Sequence, residues 1–309
     1  MKHNNTTNTS AKADVYEIIT ERVIALLEKG TSPWSRPWGS SAGASAPANF
    51  VSRRAYSGIN ALLLGCSGFG CPFWVTFNQA KSLGGSVRKG EKGTPVVFWK
   101  FLQKTDEAGN PLFDANGQPV KIGFLRYFTV FNLEQTDGIE WSAPAKIENT
   151  FNADEACEDI VRDMPQAPAI RYGGDRAFYA PALDFVQLPE RTTFKSPAAF
   201  YSTAFHELIH ATGHESRLNR KGVSTKINAQ HRFGSADYSR EELVAEMGAA
   251  FLCGVGGIIN ESIDNSAAYL KAWIEALKGD SKLVVIAAAQ AQKAVEFILG
   301  GKDEEEAAE

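Results

Sequence analysis

The residues best placed to do chemistry are His206-Glu207-Leu208-Ile209-His210. On a helix, side chains four positions apart leave the same face about one turn apart. The two imidazoles can therefore share one tetrahedral metal ion. Glu207, beside the first histidine, reaches a metal-bound water without ligating. The metal lowers that water's pKa, and the glutamate takes its proton before attack on a carbonyl. The chain has five histidines (His3, His206, His210, His214 and His231), and three of them fall within nine residues.

A third histidine at the spacing HExxHxxGxxH is ruled out. Gly213 is in place, but Ser216 stands where that ligand belongs. His214 is expected instead to support the site by a hydrogen bond from just outside the ligand set. The expected third ligand is a glutamate from the following helix, and two candidates stand there. Glu246 is preferred, because it is embedded among Val244, Ala245, Met247, Ala249, Ala250 and Phe251, where a carboxylate is costly unless paired or ligating. Glu242 is the second candidate; like Glu241, it reads as an easily solvated surface residue. Two imidazoles and a carboxylate suit Zn2+ and also other divalent ions such as Mn2+.

A second constellation is basic and aromatic. Between Phe50 and Lys104 stand Arg53, Arg54, Lys81, Arg88, Lys89, Lys92, Lys100 and Lys104 against one acid, Glu91. Tyr56, Trp74, Phe98 and Trp99 are interleaved with them. Single-stranded nucleic acid asks for this mixture, because phosphates need cations and unstacked bases need flat partners. In Arg88-Lys89-Gly90-Glu91-Lys92-Gly93 the glycines are expected to let the backbone approach phosphates, with three cations around them. A phosphate-binding P-loop is excluded, since Glu91 occupies the lysine position.

Several elements must position these groups. Asp14 to Lys29 has helical periodicity, with Asp14 as N-cap and Gly30 just past the end. Trp74 to Ser82 reads as a short helix. Thr94–Leu102 and Phe124–Phe131 read as the strands of a long hairpin. Arg171 to Leu188 reads as two short strands. The run ending Leu183-Asp184-Phe185-Val186-Gln187-Leu188-Pro189 is expected to be the edge strand that aligns a substrate. Ser196-Pro197 opens the HExxH helix through Thr212. Ser239 with Glu242 has the pattern of a capping box that opens the next helix. Two further helices are expected over Tyr269–Leu277 and Leu283–Leu299.

The 309 residues, 44% hydrophobic and 22% charged, suggest two domains of an α+β protein. The expected division is a flexible tail over 1–12, a first domain over 13–142, a linker over 143–150, a second domain over 151–300 and an acidic tail over 301–309. The net charge of −4 conceals an asymmetry. Residues 1–142 hold 15 basic against 11 acidic residues (+4), and residues 143–309 hold 17 against 25 (−8). The halves are thus expected to face different partners. No apolar run is long enough to span a membrane, and the polar start lacks the apolar core of a secretory signal. Four cysteines without a CxxC pair fit a reducing cytoplasm.

Taken in order, the motifs resemble the ArdC-type antirestriction proteins of conjugative plasmids. The first part is similar to the N-terminal single-stranded-DNA-binding domain shared with TraC-type primases. It carries Pro33-Trp34, Pro37-Trp38, Tyr56-Ser57-Gly58-Ile59-Asn60, Trp74 to Ala80, Gly84 to Gly93 and Val130-Phe131-Asn132. The second part resembles a zincin-like metallopeptidase domain through His206 to His210, Thr212-Gly213-His214, Arg217-Leu218-Asn219-Arg220 and Glu241 to Glu246. The resemblance implies binding of single-stranded DNA and protection of incoming plasmid DNA from host restriction. It also leaves room for a host restriction component or another protein as peptidase substrate. Two other readings are a non-catalytic DNA-binding protein with a structural or regulatory metal, and a plain metalloprotease.

Overall fold

The computed structural model describes residues 14–30, 32–35, 46–106, 108–114, 117–141, 153–223, 236–258, 260 and 267–301. The expected tail over 1–12, all but Gly301 of the expected tail over 301–309, the expected linker and the Pro37-Trp38 pair lie outside the described residues.

The first half opens with α1 (Val15–Leu27), capped by the Asp14 carboxylate accepting from the Tyr16 N–H at 3.1 Å. A single 3-10 turn follows over Pro33–Ser35. A four-stranded sheet has the order β1-β2-β5-β4, with β1 Ala48–Asn49, β2 Phe73–Thr76, β4 Thr94–Gln103 and β5 Lys121–Asn132. The short strands β3 (Ser86–Val87) and β6 (Thr136–Asp137) pair separately. The expected long hairpin is β4–β5, paired from Thr94↔Val130 to Gln103↔Lys121.

The segment read as one helix over Trp74–Ser82 divides in two. Phe73-Trp74-Val75-Thr76 is β2, because its aromatic and β-branched residues pair with β5 (Trp74↔Asn132, Thr76↔Val130). Only Phe77–Ser82 is helical, as α3, opened by a capping box between Thr76 and Gln79. Helix α2 (Gly58–Gly65) lies between β1 and β2 in the chain.

The second half begins with α4 (Ala153–Arg162) and a three-stranded sheet of order β7-β9-β8. Its strands are β7 Ala169–Tyr172, β8 Phe178–Ala180 and β9 Phe185–Leu188. Three strands thus stand where two were expected, and β9, expected at the edge, is central. Its apolar residues Phe185, Val186 and Leu188 are buried, as a strand paired on both sides requires. The edge strands are β7 and β8, and β8 is the one that lines the cleft of His206 and His210.

Four helices complete the fold: α5 Pro197–Thr212, α6 Ala236–Val255, α7 Ala267–Gly279 and α8 Leu283–Ile298. Ser196 caps α5 by accepting from the Ala199 N–H at 3.0 Å, with Pro197 in the first turn. Helix α6 starts three residues before Ser239, so Ser239 is not its cap and Glu242 lies inside the helix. Gly248 on α6 lets the helix lie against α5; a Cβ there would stand 2.6 Å from Ile209 Cδ1.

The two halves share one hydrophobic core. Ile19, Val23, Leu27, Trp34 and Leu62 of the first half pack in the same buried cluster as Phe205, Leu208, Leu243, Trp273 and Val284 of the second. Trp34 meets Trp273 edge-on with ring centroids 5.9 Å apart. The Thr20 hydroxyl donates to the Ser281 carbonyl at 2.6 Å, and the Gly58 N–H to Gln292 Oε1 at 3.2 Å. No described helix is long and apolar enough to cross a membrane.

Candidate functional site

Helix α5 turns His206 and His210 onto one face, with their Nε2 atoms 3.1 Å apart. Helix α6 brings Glu242 against them: Oε2 is 3.7 Å from His206 Nε2, and Oε1 is 3.6 Å from His210 Nε2. Ligands about 2.1 Å from a tetrahedral centre lie about 3.4 Å from one another, so the three donors fit one small divalent ion. Among the described residues they are the one such His/Cys/Asp/Glu group.

The glutamate on the histidines is therefore Glu242, not Glu246. Glu246 lies one turn further along α6, beside Tyr269. Burial and then that carboxylate push the Tyr269 hydroxyl above its ordinary pKa. The apolar neighbours of Glu246 in the sequence reflect burial in a helix contact rather than proximity to a metal.

Glu241, read as a surface residue, is only 6% exposed. Its Oε1 lies 3.3 Å from His210 Nδ1, and it is gripped by Arg220 at 2.7 and 3.0 Å. Arg220 in turn donates to Thr212 Oγ1 and the Ile209 carbonyl, each at 2.6 Å. Burial pushes the Glu241 carboxyl up, but the hydrogen bonds from His210 and Arg220 outweigh it and hold the pKa below its usual value. Burial also opposes charge on His210, but Glu241 and the other carboxylates raise its pKa nonetheless. On His206, burial first and the neighbouring His210 charge second push the pKa down.

Glu241 thus takes the supporting role expected of His214. Because α5 ends at Thr212, His214 leaves the helix face, and its Nδ1 meets Ser216 Oγ at 2.7 Å instead. The sequence offered one hint of Glu241 and Arg220: both lie in the segments that carry the family resemblance.

Glu207 lines the same cleft and is 8% exposed. Burial raises its pKa, Glu242 adds to the rise, and His210 and the Tyr179 backbone oppose it. That is the direction expected of a base poised to hold a proton near neutral pH. The cleft, about 360 Å³, is walled on its far side by Ala177, Phe178 and Tyr179 of the edge strand region. Tyr179 is tied down: its hydroxyl donates to Asp184 Oδ1 at 2.7 Å, and Arg217 holds the same carboxylate. Chemically, the arrangement can hold a metal and a bound water beside a carboxylate base, with a strand to align a carbonyl substrate.

The basic and aromatic candidates separate sharply. Trp74 is 1% exposed and packs edge-on against Phe69 in the core, so it is no base-stacking residue. Arg88 is committed to partners within the protein, one in its own turn and three on the segment around β6. It meets Glu91 at 2.9 Å and Asp137 at 3.6 Å, and it also donates to the carbonyls of Glu134 and Thr136. Of the two glycines in that segment, Gly93 serves packing, since a Cβ there would stand 2.2 Å from Thr129 Cγ2, while Gly90 has φ +90° and open space around it. Lys89 and Lys92 remain exposed. Arg53 lies over Phe50 and Phe73, 4.4 and 4.7 Å from their centroids, while Arg54 is exposed. Tyr56 is half-buried and Trp99 is 42% exposed; both line one cleft with Phe98.

The hairpin adds Phe124, Arg126 and Phe128, which composition did not single out, to Phe98 and Lys100. Cross-strand partners share a face. The pairs Val96↔Phe128, Phe98↔Arg126 and Lys100↔Phe124 therefore place Phe98, Phe124 and Phe128 on one side with Lys100 and Arg126 between them. The three phenylalanines are 45%, 46% and 48% exposed. The period-2 alternation of β5 was the available signal.

The fold and site define a zincin-like HExxH domain joined through a shared core to a mixed α+β N-terminal domain. Residues 155–290 match the family described as zincin-like metallopeptidase, and residues 13–131 match the N-terminal domain of anti-restriction factor ArdC. The chain is similar to the crystal structure of the antirestriction protein ArdC from plasmid R388, with 35% identity, a TM-score of 0.69, and coverage of 93% of this chain and 97% of that one. The Mn(II)-bound structure of that protein matches at 34% identity and a TM-score of 0.68, covering 95% and 100% of the two chains. A Sinorhizobium fredii protein, y4eC, is 33% identical over 92% of this chain and 91% of its own. The DNA primase TraC of Escherichia coli is 42% identical over 94% of this chain, which spans only 20% of that primase. A second TraC primase is 41% identical, and the chain spans 27% of it. The chain belongs to the ArdC family of antirestriction proteins.

Proposed function

We propose that the chain binds single-stranded DNA as it enters a cell during plasmid conjugation, and shields it in the cytoplasm from host restriction. The observation that carries this reading is the hairpin face, where Phe98, Phe124 and Phe128 stand exposed between Lys100 and Arg126. Exposed rings spaced by cations accept any base and its phosphates. Arg53, Arg54, Tyr56, Lys89, Lys92 and Trp99 supply further charge and stacking surface.

We further propose that His206, His210 and Glu242 hold a divalent metal, Zn2+ or Mn2+, with Glu207 as general base for peptide hydrolysis. The R388 relative with Mn(II) bound supports a metal in this family. A buried carboxylate with a raised pKa at the position of the base favours catalysis over a purely structural metal. The substrate in this reading is a protein, such as a host restriction component. When bound, the metal would polarise a carbonyl and acidify its water. The chain's own part is to hold the ligands through Glu241 and Arg220, to accept the water's proton on Glu207, and to align the substrate along β8.

The test is paired. Wild-type protein should bind a single strand more tightly than the matching duplex, and equal affinity would overturn the single-strand reading. Conjugative transfer of a restriction-sensitive plasmid into a restricting host should then be compared with Glu207→Gln. Full protection by that variant would mean that hydrolysis is not needed for antirestriction.

A further inference from the structure

A second cavity adjoins the cleft of His206 and His210 and shares Gly222 and Glu241 with it. It encloses about 450 Å³, within the range of small-ligand sites. Among the described residues, Arg220, Lys221, Arg240 and Lys293 line it, and Glu241 is the one carboxylate. Glu241 is already matched by Arg220 at 2.7 Å, which leaves the cavity with an excess of positive charge. Arg240 reaches Asp280 only at 3.7 Å, and its buried Nε has no hydrogen-bond partner among the described residues. Residues 143–309 carry a net charge of −8, so a convergence of cations here is not a by-product of composition.

Lys293 connects this cavity to the other half of the molecule. It also lines a cleft of about 360 Å³ walled by Tyr56, Phe98 and Trp99. Glu296 stands in that cleft too, where Gln292 Nε2 donates to it at 2.9 Å. Phe98 is at once a wall of this cleft and a member of the exposed hairpin face. One cation on α8 therefore sits between a row of aromatic rings and a basic cavity. That is the order in which a single strand presents bases and phosphates.

We propose that Lys221, Arg240 and Lys293 bind backbone phosphates of the same single strand whose bases stack beside Tyr56, Phe98 and Trp99. The strand would then cross from the N-terminal half onto the zincin-like half. This inference rests on the single-strand reading above. The ligand chemistry is a phosphate oxyanion, and its source is the nucleic-acid backbone rather than a free phosphate.

The test uses the full chain and two fluorescent oligothymidylates of about 5 and about 20 nucleotides, chosen to fall short of and exceed a single-fold site. Binding is followed by anisotropy as salt is raised. Each phosphate contact contributes about −0.7 to the log–log salt slope for single strands. The Lys221→Ala/Lys293→Ala variant should flatten the slope for the long strand by about 1.4, and addition of Arg240→Gln by about 2 in all. The slope for the short strand should fall by no more than about 0.7, the share of Lys293, which lines the aromatic cleft. Because Arg240 meets Asp280, the triple variant is vulnerable to misfolding; the double variant, with an unchanged melting temperature, is decisive alone. An unchanged long-strand slope in that folded double variant overturns the proposal. So does protection of wild type, but not of the double variant, by inorganic phosphate with no change in slope, since the cavity would then serve a free anion. Failure of wild type to bind either strand would instead sink the single-strand reading on which the proposal stands.

Discussion

In the cleft between α5 and α6, polar groups hold one another in sequence. His210 is met by Glu241, Glu241 by Arg220, and Arg220 by Thr212 and the Ile209 carbonyl. On the β4–β5 hairpin, Phe98, Phe124 and Phe128 stand nearly half exposed, and Lys100 and Arg126 between them are exposed as well. The contrast fits what each region is proposed to recognise. A metal and a water need donors fixed to fractions of an ångström, so the ordering is done during folding by buried hydrogen bonds. A strand of arbitrary sequence needs flat surfaces and mobile charge that settle on whatever base arrives.

The largest effects should therefore fall on the cleft. His206→Ala, His210→Ala and Glu242→Ala should each abolish stoichiometric metal binding, while Glu246→Ala retains it. Metal analysis of the dialysed proteins decides this, and retention by Glu242→Ala with loss by Glu246→Ala would reverse the assignment. Because imidazole ligands must be neutral, wild-type metal affinity should also fall as pH is lowered.

Next comes a pair of aromatic substitutions that sharpens the contrast from the other side. Trp74→Ala should cost about 3–5 kcal/mol of stability, as core truncations do. Phe128→Ala should leave the melting temperature nearly unchanged and weaken single-strand binding by about 1–3 kcal/mol. Thermal melts beside anisotropy titrations separate the two. A stable Trp74→Ala protein that fails to bind DNA would restore Trp74 as a stacking residue.

Glu241→Gln should act within the cleft without removing a ligand. It weakens the hold on His210, and metal affinity should drop by about 10–100-fold in competition with a chelator. The change breaks the comparison if affinity is unaltered, since the cleft would then not depend on its supporting shell.

The smallest effect concerns a surface pair that belongs to neither site. Burial raises the Glu158 pKa, but hydrogen bonds from Tyr201 and Arg191 outweigh it and hold the group below its ordinary value. A depressed carboxyl adds stability that is present above its unfolded pKa, about 4.3, and is lost as pH falls through the folded value. Glu158 is 42% exposed, so the gain is below about 1 kcal/mol. Glu158→Gln should lower stability slightly at pH 7 and flatten its acid limb, as denaturant melts at pH 7 and pH 3 would show.

By itself the sequence determined what lies within a few turns of chain. The spacing of His206 and His210, the caps at Asp14 and Ser196, and the hairpin strands follow from helical and strand periodicities. The candidate ligand pair His206 and His210, with Glu207 beside it, was legible for that reason. Tertiary structure decided whatever depended on the rotation or order of separate elements. Whether Glu242 or Glu246 faces the histidines depends on where α6 begins and how it crosses α5. Gly248 against Ile209 fixes that close crossing, and no local pattern around Ser239 reports it. Strand order made β8 rather than β9 the edge, because pairing partners are chosen across the sheet and not along the chain. Trp74 and Trp99 are alike in sequence terms, yet one is 1% and the other 42% exposed. Trp74 stands on β2, which is paired on both sides, and packs with Leu64, Val96 and Val130, whereas Trp99 stands on the edge strand β4; only strand order and packing assign those places.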